Sequence, residues 1–590
     1  MTEKMMKAPF LALGLIIVLY ALLELPVLSL HGISWDEQMD IGIARTYVDE
    51  PGGWLHGSDH DALNTRLPMY LTAIVYAIVG NTNLLTARLV TWFFGLLTLI
   101  AVYAFCRQQF DRITGVLACV LLATSPFFLS FTRIAFTESD IFVACGVTWS
   151  MFVASRLLKQ RTVGWLVATA VTVGLAMAAK ISAVAILPAI FLGMFFSPKQ
   201  MNEDSRQSLP NEALVMAGAI LISLLLIIPA GWAIALFSSM MADSFWFKAV
   251  HYSVSLSIWL GAIGYLCRFS NCRVDFISTC GFLAVLAPLT FLLLPPVHTT
   301  NPAIVLALAY NAFGYVSQSP IPILEIFGLH FFSVLFKSSL LIGLGLWLSL
   351  PLAAGQWRTR PAVRLPLLIF ACYFLFLLKM PWAQTFYMVT LLPILGILAA
   401  DQFVRLYKRE QIIALLVACL AFGSLGYDIL RCYPDYNLNG YQWLGERYLG
   451  GRSSVGYRSV VQTTSDGIEQ ALTWANNNIG PGQMVVTYIH PKHIIHAVSP
   501  NPKFSLLDGF EKMYRKSIFD EADYVITSIN AEIRGRRGHD NSSGDIFKYP
   551  YNRKRLNSEF TKVFAVRRAY GLEVASVWRR KNTHRADQPA

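Results

Sequence analysis

Apolar positions in this chain fall in long, nearly unbroken runs, and the charges are confined to the short segments between them. Runs near 9–30, 84–105, 113–131, 138–155, 163–179 and 181–196 approach or exceed the roughly 17–25 residues that carry a helix across about 30 Å of hydrocarbon. Further runs lie near 212–237, 249–267, 275–295, 329–353, 362–379, 385–400 and 411–429. Together they predict about thirteen transmembrane helices. Three stretches break the alternation of helix and short turn: 31–83, 296–328 and everything after about 430. Within the first, the apolar piece Leu67 to Val79 is short for a span and reads as a helix lying at the membrane interface.

The pattern changes character in the tail. The segment "TTSDGIEQALTWANNNIGPGQ" reads as a helix with Asp466 as N-cap, Glu469 three residues on, and Gly480-Pro481 as its stop. "MVVTYI", "ADYVITSI" and the pair "FTKVFAVRR" and "LEVASVWRR" read as strands, the last two forming a hairpin around Gly571. The expected organisation is a polytopic α-helical membrane domain over 1–430 and a small soluble α/β domain over 431–590.

Composition agrees with this reading: 55% of the 590 residues are hydrophobic, 14% are charged, and the mean hydropathy is +0.50. The net charge of +12 is largely topology. Lys/Arg clusters at 107–112, 156–161, 199–206, 268–273, 358–364 and 405–409 occupy every second connection between predicted helices. The positive-inside rule puts these turns, and the N-terminus with Lys4 and Lys7, in the cytoplasm. An odd number of crossings then places the tail outside. The first run is too long for a signal-peptide core and lacks an A-x-A site, so it reads as a retained helix. Nucleic-acid binding is not called for by a charge so placed. The nine Cys contain no CxxC pair, and neither a zinc site nor a disulfide framework is expected.

Candidate chemistry lies on the outer side. "SWDEQMDIG" sets Asp36 beside Glu37 at the exit of the first run, "NTRLPMY" supplies Arg66, "FTRIAFTESD" supplies Arg133, Glu138 and Asp140, and "AMAAKISAVAIL" supplies Lys180, with Lys379 ending the eleventh run. Adjacent acids at a helix start are equally well read as solvated groups or a cap, and a lone Lys at a membrane boundary usually snorkels. Outer cations, however, run against the topological bias and call for partners. Several cations near a pair of acids suit a reaction with an anionic leaving group and an activated nucleophile. "HGSDHD" offers His56, Asp59, His60 and Asp61 as ligands for a divalent metal, but reads as a solvated loop; no metal or cofactor is called. The aromatic residues of 433–447 suit either sugar contact or packing onto the membrane surface.

Residues 30–195 closely resemble the GT-C membrane glycosyltransferases of the dolichyl-phosphate-mannose:protein mannosyltransferase family 39, whose circle includes the lipid A aminoarabinose transferases; the resemblance is looser to about 430. It is carried by "SWDEQMDIGIA", by the stretch from "TRLPMYLTAIVYAIVG" to "FTRIAFTESDIF", and by "GLAMAAKISAVAILPAI". The resemblance implies a polyprenyl-phosphate-linked sugar donor used at the outer face, Asp36 as general base, Arg66 in place of the family's Lys or His of "KPPLYY", Glu138 as the second-loop acid behind Arg133, and Lys180 as the residue opening the family's "K-x-[ST]-A" segment. The family's Arg shortly after the acidic pair is missing, since Met39 and Asp40 stand there; Arg45 is the candidate substitute.

The chemistry fits without the resemblance. A hydroxyl attacking the anomeric carbon of a sugar phosphate expels a phosphate monoester, which needs cations more than a strong general acid. Neighbouring residues on a helix diverge by about 100°, so Asp36 and Glu37 cannot address one hydroxyl. Asp36 is taken as base, Glu37 as its electrostatic or positioning neighbour, and Arg66, Lys180 and Arg133 as holders of the phosphate. One base implies direct displacement with inversion. The expected setting is a bacterial inner membrane and the acceptor a lipid, glycan or protein. The rival reading is a lipid-linked-sugar flippase, which would place its ionisable groups near the bilayer midplane. A scaffold holding a polymerase complex together is a third.

Overall fold

The fold is that of a computed structural model, which describes residues 3–29, 35–50, 52–56, 66–135, 140–196, 207–238, 244–306, 323–380, 385–433, 436, 467–487, 504–508, 521–528, 553–567 and 573–581. Helix α1 (Glu3–Glu24) is followed by α2 (Trp35–Asp49), the one-turn α3 (Gly53–His56) and α4 (Leu67–Val79). The bundle continues with α5 (Leu84–Gln109), α6 (Arg112–Ala123), α7 (Pro126–Thr132), α8 (Asp140–Gln160), α9 (Val163–Ala179) and α10 (Ile186–Phe196). Next come α11 (Asn211–Phe237), α12 (Phe245–Cys267), α13 (Phe276–Leu293) and the short α14 (Pro296–Thr300). The last membrane helices are α15 (Ile323–Lys337), α16 (Leu340–Gly355), α17 (Arg364–Leu377), α18 (Leu392–Arg409) and α19 (Gln411–Cys432).

Among the described residues seven helical segments are long and apolar enough to cross a membrane, and the bent pair α6–α7 makes up to eight; shorter apolar helices fill the other predicted runs. The chain is an integral membrane protein, mostly helical. Side-chain caps mark several starts: Asn83 accepts the Thr86 amide at 2.8 Å, and Asp111 accepts the Thr114 amide at 2.7 Å. The α6–α7 bend of 68° falls at Thr124–Pro126, where proline can neither donate nor continue the preceding helix. The run expected as one span at 329–353 is a hairpin instead. Trp347 Nε1 donates to the Phe331 carbonyl at 3.1 Å, and Gly343 packs against Leu335. The reversal is at Ser338–Ser339, where Ser339 has φ +74°.

The basic turns meet at one end of the bundle. Val163 and Gly164 donate to the Cys272 and Ser270 carbonyls, and Arg273 exchanges backbone bonds with Gln207 and Leu209. Arg161 reaches the Met194 carbonyl, Arg364 the Phe196 carbonyl, Arg360 pairs with Asp401 at 2.5 Å, and Lys408 with Asp111 at 3.4 Å. At about 1.5 Å per residue, the 21 residues from Arg88 to the end of α5 at Gln109 separate the candidate chemistry from this end by roughly 32 Å.

The tail forms a five-stranded sheet of order β2-β1-β3-β5-β4, with β1 (Met484–Thr487), β2 (Ser505–Asp508), β3 (Tyr524–Ser528), β4 (Phe560–Arg567) and β5 (Glu573–Arg580). Strand β1 is parallel to β2 and β3, and β5 is antiparallel to β3 and β4. The expected hairpin is β4–β5. Helix α20 (Ile468–Asn478) is entered through Gly467, with φ +62°, in the capping position expected for Asp466, which lies outside the described residues. Strand β2 and helix α21 (Arg553–Glu559) are additional to the sequence reading.

Candidate functional site

Asp36 and Glu37 open α2, but only Glu37 has a described side chain. It is fully buried and accepts three hydrogen bonds from two partners. Arg88 of α5 meets it through two bonds of 2.8 Å, Nε to Oε1 and Nη2 to Oε2, while the Ala135 amide donates to Oε1 at 2.7 Å. Arg88 also donates to the Leu28 carbonyl at 2.5 Å. This bidentate pair joins four elements: the turn after α1, the start of α2, α5, and the segment that follows α7. Residues 136–139, with Glu138, lie outside the described residues. A desolvated fork-to-carboxylate pair is strong only with such additional bonds. Glu37 therefore holds the backbone of its neighbour Asp36 against the segment leading to Glu138.

One turn after Asp36 on the same helix stands Asp40, also buried. Tyr47, farther along α2, is within electrostatic reach of both Arg66 and Asp40. Arg66 caps α4 from a fully buried position and interacts electrostatically with Tyr47, Tyr70 and His298. The rings of Tyr47 and Tyr70 stack at 4.3 Å beside Trp54, whose carbonyl accepts the Tyr70 hydroxyl. Thr300 donates to the Leu55 carbonyl at 2.8 Å, so the stretch after α13 closes onto this aromatic group. The His298 ring contacts the Phe291 carbonyl through Nδ1 at 3.0 Å. Burial, against that bond and with Arg66 nearby, pulls the imidazole down to about 4 and keeps it neutral.

Lys180 occupies the break between α9 and the 3-10 turn Ile181–Ala185. Its Nζ lies 3.3 and 3.4 Å from the carboxylate oxygens of Asp140, the first residue of α8, and 4.3 Å from the centre of the Tyr387 ring. Arg133 follows α7, is fully buried, and lies over the Tyr436 ring at 4.8 Å with Glu24 of α1 in electrostatic range. The three cations expected around one phosphate thus have distinct described neighbours: an aromatic group at Arg66, a carboxylate and two rings at Lys180, and the end of α1 at Arg133. Arg45 donates two bonds to the Thr82 carbonyl, at 2.9 and 2.7 Å, and fastens α2 to the turn after α4. Lys379 is exposed.

The sequence reading missed Arg88, Asp40, Tyr47, His298 and Lys337. Lys337 is buried at the end of α15, 5.9 Å from the rings of Phe127 and Phe131. Arg88 and Lys337 had a visible signal: each is a cation inside an apolar run, which calls for a buried partner. Among the described residues no group of three or more His, Cys, Asp or Glu could hold a metal; 57–65, with Asp59, His60 and Asp61, and the side chain of His56 lie outside them.

Residues 65–232 match the family model described as dolichyl-phosphate-mannose-protein mannosyltransferase. Over that segment the chain is similar to a membrane glycosyltransferase family. The matched segment holds Arg66, Arg88, Arg133, Asp140 and Lys180 but not Asp36 or Glu37. Among solved structures, ArnT from Cupriavidus metallidurans bound to undecaprenyl phosphate is 14% identical, with 96% of this chain and 97% of that one covered at a TM-score of 0.47. The oligosaccharyltransferase AglB from Archaeoglobus fulgidus, in complex with an inhibitory peptide and a dolichol-phosphate, is 15% identical, with 90% and 70% covered at a TM-score of 0.46. No curated protein matches the sequence.

Proposed function

We propose that this protein transfers a hexose or pentose from a polyprenyl-phosphate donor to a hydroxyl of a lipid, glycan or protein acceptor, at the outer face of a bacterial inner membrane. The observation that carries the reading is the Glu37 clamp. It ties the helix bearing Asp36 to the segment leading to Glu138, at the same end of the bundle as buried Arg66 and Lys180. The match over 65–232 supports a transferase above a flippase.

In this reading Asp36 takes the proton of the acceptor hydroxyl as its oxygen bonds to the anomeric carbon. The bond from that carbon to the phosphate oxygen breaks with inversion, and the polyprenyl phosphate leaves with its charge balanced by Arg66 and Lys180. Glu138 orients the acceptor or Arg66. The test is transfer by purified protein from a polyprenyl-phosphate sugar, with the product's anomeric configuration read by NMR. Asp36→Asn is expected to lower turnover about a hundredfold or more while donor binding persists. Near-normal turnover in Asp36→Asn, or donor movement across vesicles with no glycoside formed by the wild type, overturns the reading.

A further inference from the structure

Helices α11 and α12 are among the least enclosed spans of the bundle: 28% and 22% of their apolar windows are buried, against 83% for Phe386–Arg409. They pack side by side, and their outward faces leave a groove of about 710 Å³ lined by Ile220, Ser223, Ile258, Gly261, Gly264, Tyr265 and Arg268. The two glycines make the groove. A Cβ at either Gly261 or Gly264 would meet no atom within 4 Å, so they open empty space rather than admit a neighbouring helix. Arg268 closes one end. Its guanidinium is exposed and makes no hydrogen bond or ion pair among the described residues.

We infer that this groove binds an anionic phospholipid, one acyl chain lying over Gly261 and Gly264 with the headgroup phosphate on Arg268. Three features point to that occupant. The walls are apolar and belong to membrane-spanning helices, so lipid is the solvent they meet. The cation stands at the end where the basic turns gather, beside the Arg273 backbone ladder, and an Arg there suits a phosphate geometrically as well as in charge. The length also fits. Ile258 to Arg268 spans about 15 Å at 1.5 Å per residue, which is half of the roughly 30 Å hydrocarbon and so one leaflet. A single acyl chain fills that depth, whereas a polyprenyl chain would overrun it. The site is separate from the candidate chemistry at the other end of the bundle and does not depend on the proposed reaction.

The experiment is native mass spectrometry of the full chain released from nanodiscs containing equal phosphatidylglycerol and phosphatidylcholine, counting retained lipid. The wild type is expected to retain phosphatidylglycerol in preference. Arg268→Gln should lower that preference about fivefold, the worth of one interfacial cation. Gly261→Leu should reduce retention of both lipids by filling the groove, with Gly261→Ala as the milder variant if the larger one fails to fold. Equal retention by the wild type, Arg268→Gln and Gly261→Ala overturns the site. So does displacement of phosphatidylglycerol by an added polyprenyl phosphate at equimolar amounts, which would assign the groove to a different lipid.

Discussion

Replacing Glu37 by Gln takes the counter-charge from Arg88 in a place where neither group meets water. Removing one partner of a buried pair costs about 3–5 kcal/mol, whereas replacing both with apolar groups is often close to neutral. Glu37→Gln is therefore expected to lower thermal stability in detergent by an amount in that range, and Glu37→Leu with Arg88→Met to recover most of it; equal loss in the double variant would deny the pair its positioning role. Asp36 and Glu37 are adjacent and chemically alike, and the sequence exposes both. What it hides is their division of labour, because the residue that decides it, Arg88, stands 51 positions away inside an apolar run. Lys180 poses a related question, since Asp140 already balances it. Lys180→Met should raise the donor KM and also strand Asp140. Adding Asp140→Asn should then restore stability without restoring donor affinity; if the KM returns as well, Lys180 is a structural partner and the phosphate is held elsewhere.

Between elements, contact distance is set by small residues. A Cβ at Gly174 of α9 would come within 2.4 Å of the Thr290 Cβ and 2.6 Å of the Ala287 carbonyl oxygen on α13. Gly174→Ala is expected to cost about 1–3 kcal/mol by forcing the two helices apart. Gly281→Ala, on the same α13 with open space around it, should be neutral or stabilising by up to about 1 kcal/mol; thermal unfolding followed by size-exclusion chromatography compares them. At the basic end, burial tends to raise the Asp111 carboxyl, but the Thr114 amide and Lys408 outweigh it and hold it below the ordinary carboxylate range. A depressed acid contributes stability above its unfolded pKa of about 4 and loses it as pH falls through the folded value. The stability difference between wild type and Asp111→Asn should therefore be full at pH 7 and shrink below about pH 4. A difference that stays constant to pH 3 would refute the cap's electrostatic part. Element lengths were legible because hydropathy reports them directly: the helix Leu67–Val79 matches its apolar run at both ends. The hairpin at Ser338–Ser339 was not, because two serines inside 25 apolar-rich positions leave hydropathy unchanged while Ser339 reverses the chain.

Across the whole molecule, the lattice of backbone and side-chain bonds gathers the turns at 107–112, 156–161, 268–273, 356–364 and 405–409 at a single end. That gathering is what a positive-inside topology requires: the basic turns share one side because translocating them is costly. The candidate residues stand most of an α5 length away, at the end that the proposed reaction makes the outer face. Helix α19 starts at the basic end with Gln411 and runs 22 residues to Cys432, so in the proposed topology the tail follows on that second side. The prediction is a difference in labelling between two single cysteines. The background is a chain in which the exposed Cys267 and Cys419 are replaced by Ala. A cysteine at Ser542 should react with a membrane-impermeant thiol reagent in cells stripped of any outer barrier, and one at Ser205, within the basic segment 199–206, should react only after lysis. The reverse pattern would turn the protein over in the membrane and move Asp36, Arg66 and Lys180 to the cytoplasmic face. Labelling of both before lysis would refute the opposite placement of the two cysteines and with it the proposed orientation.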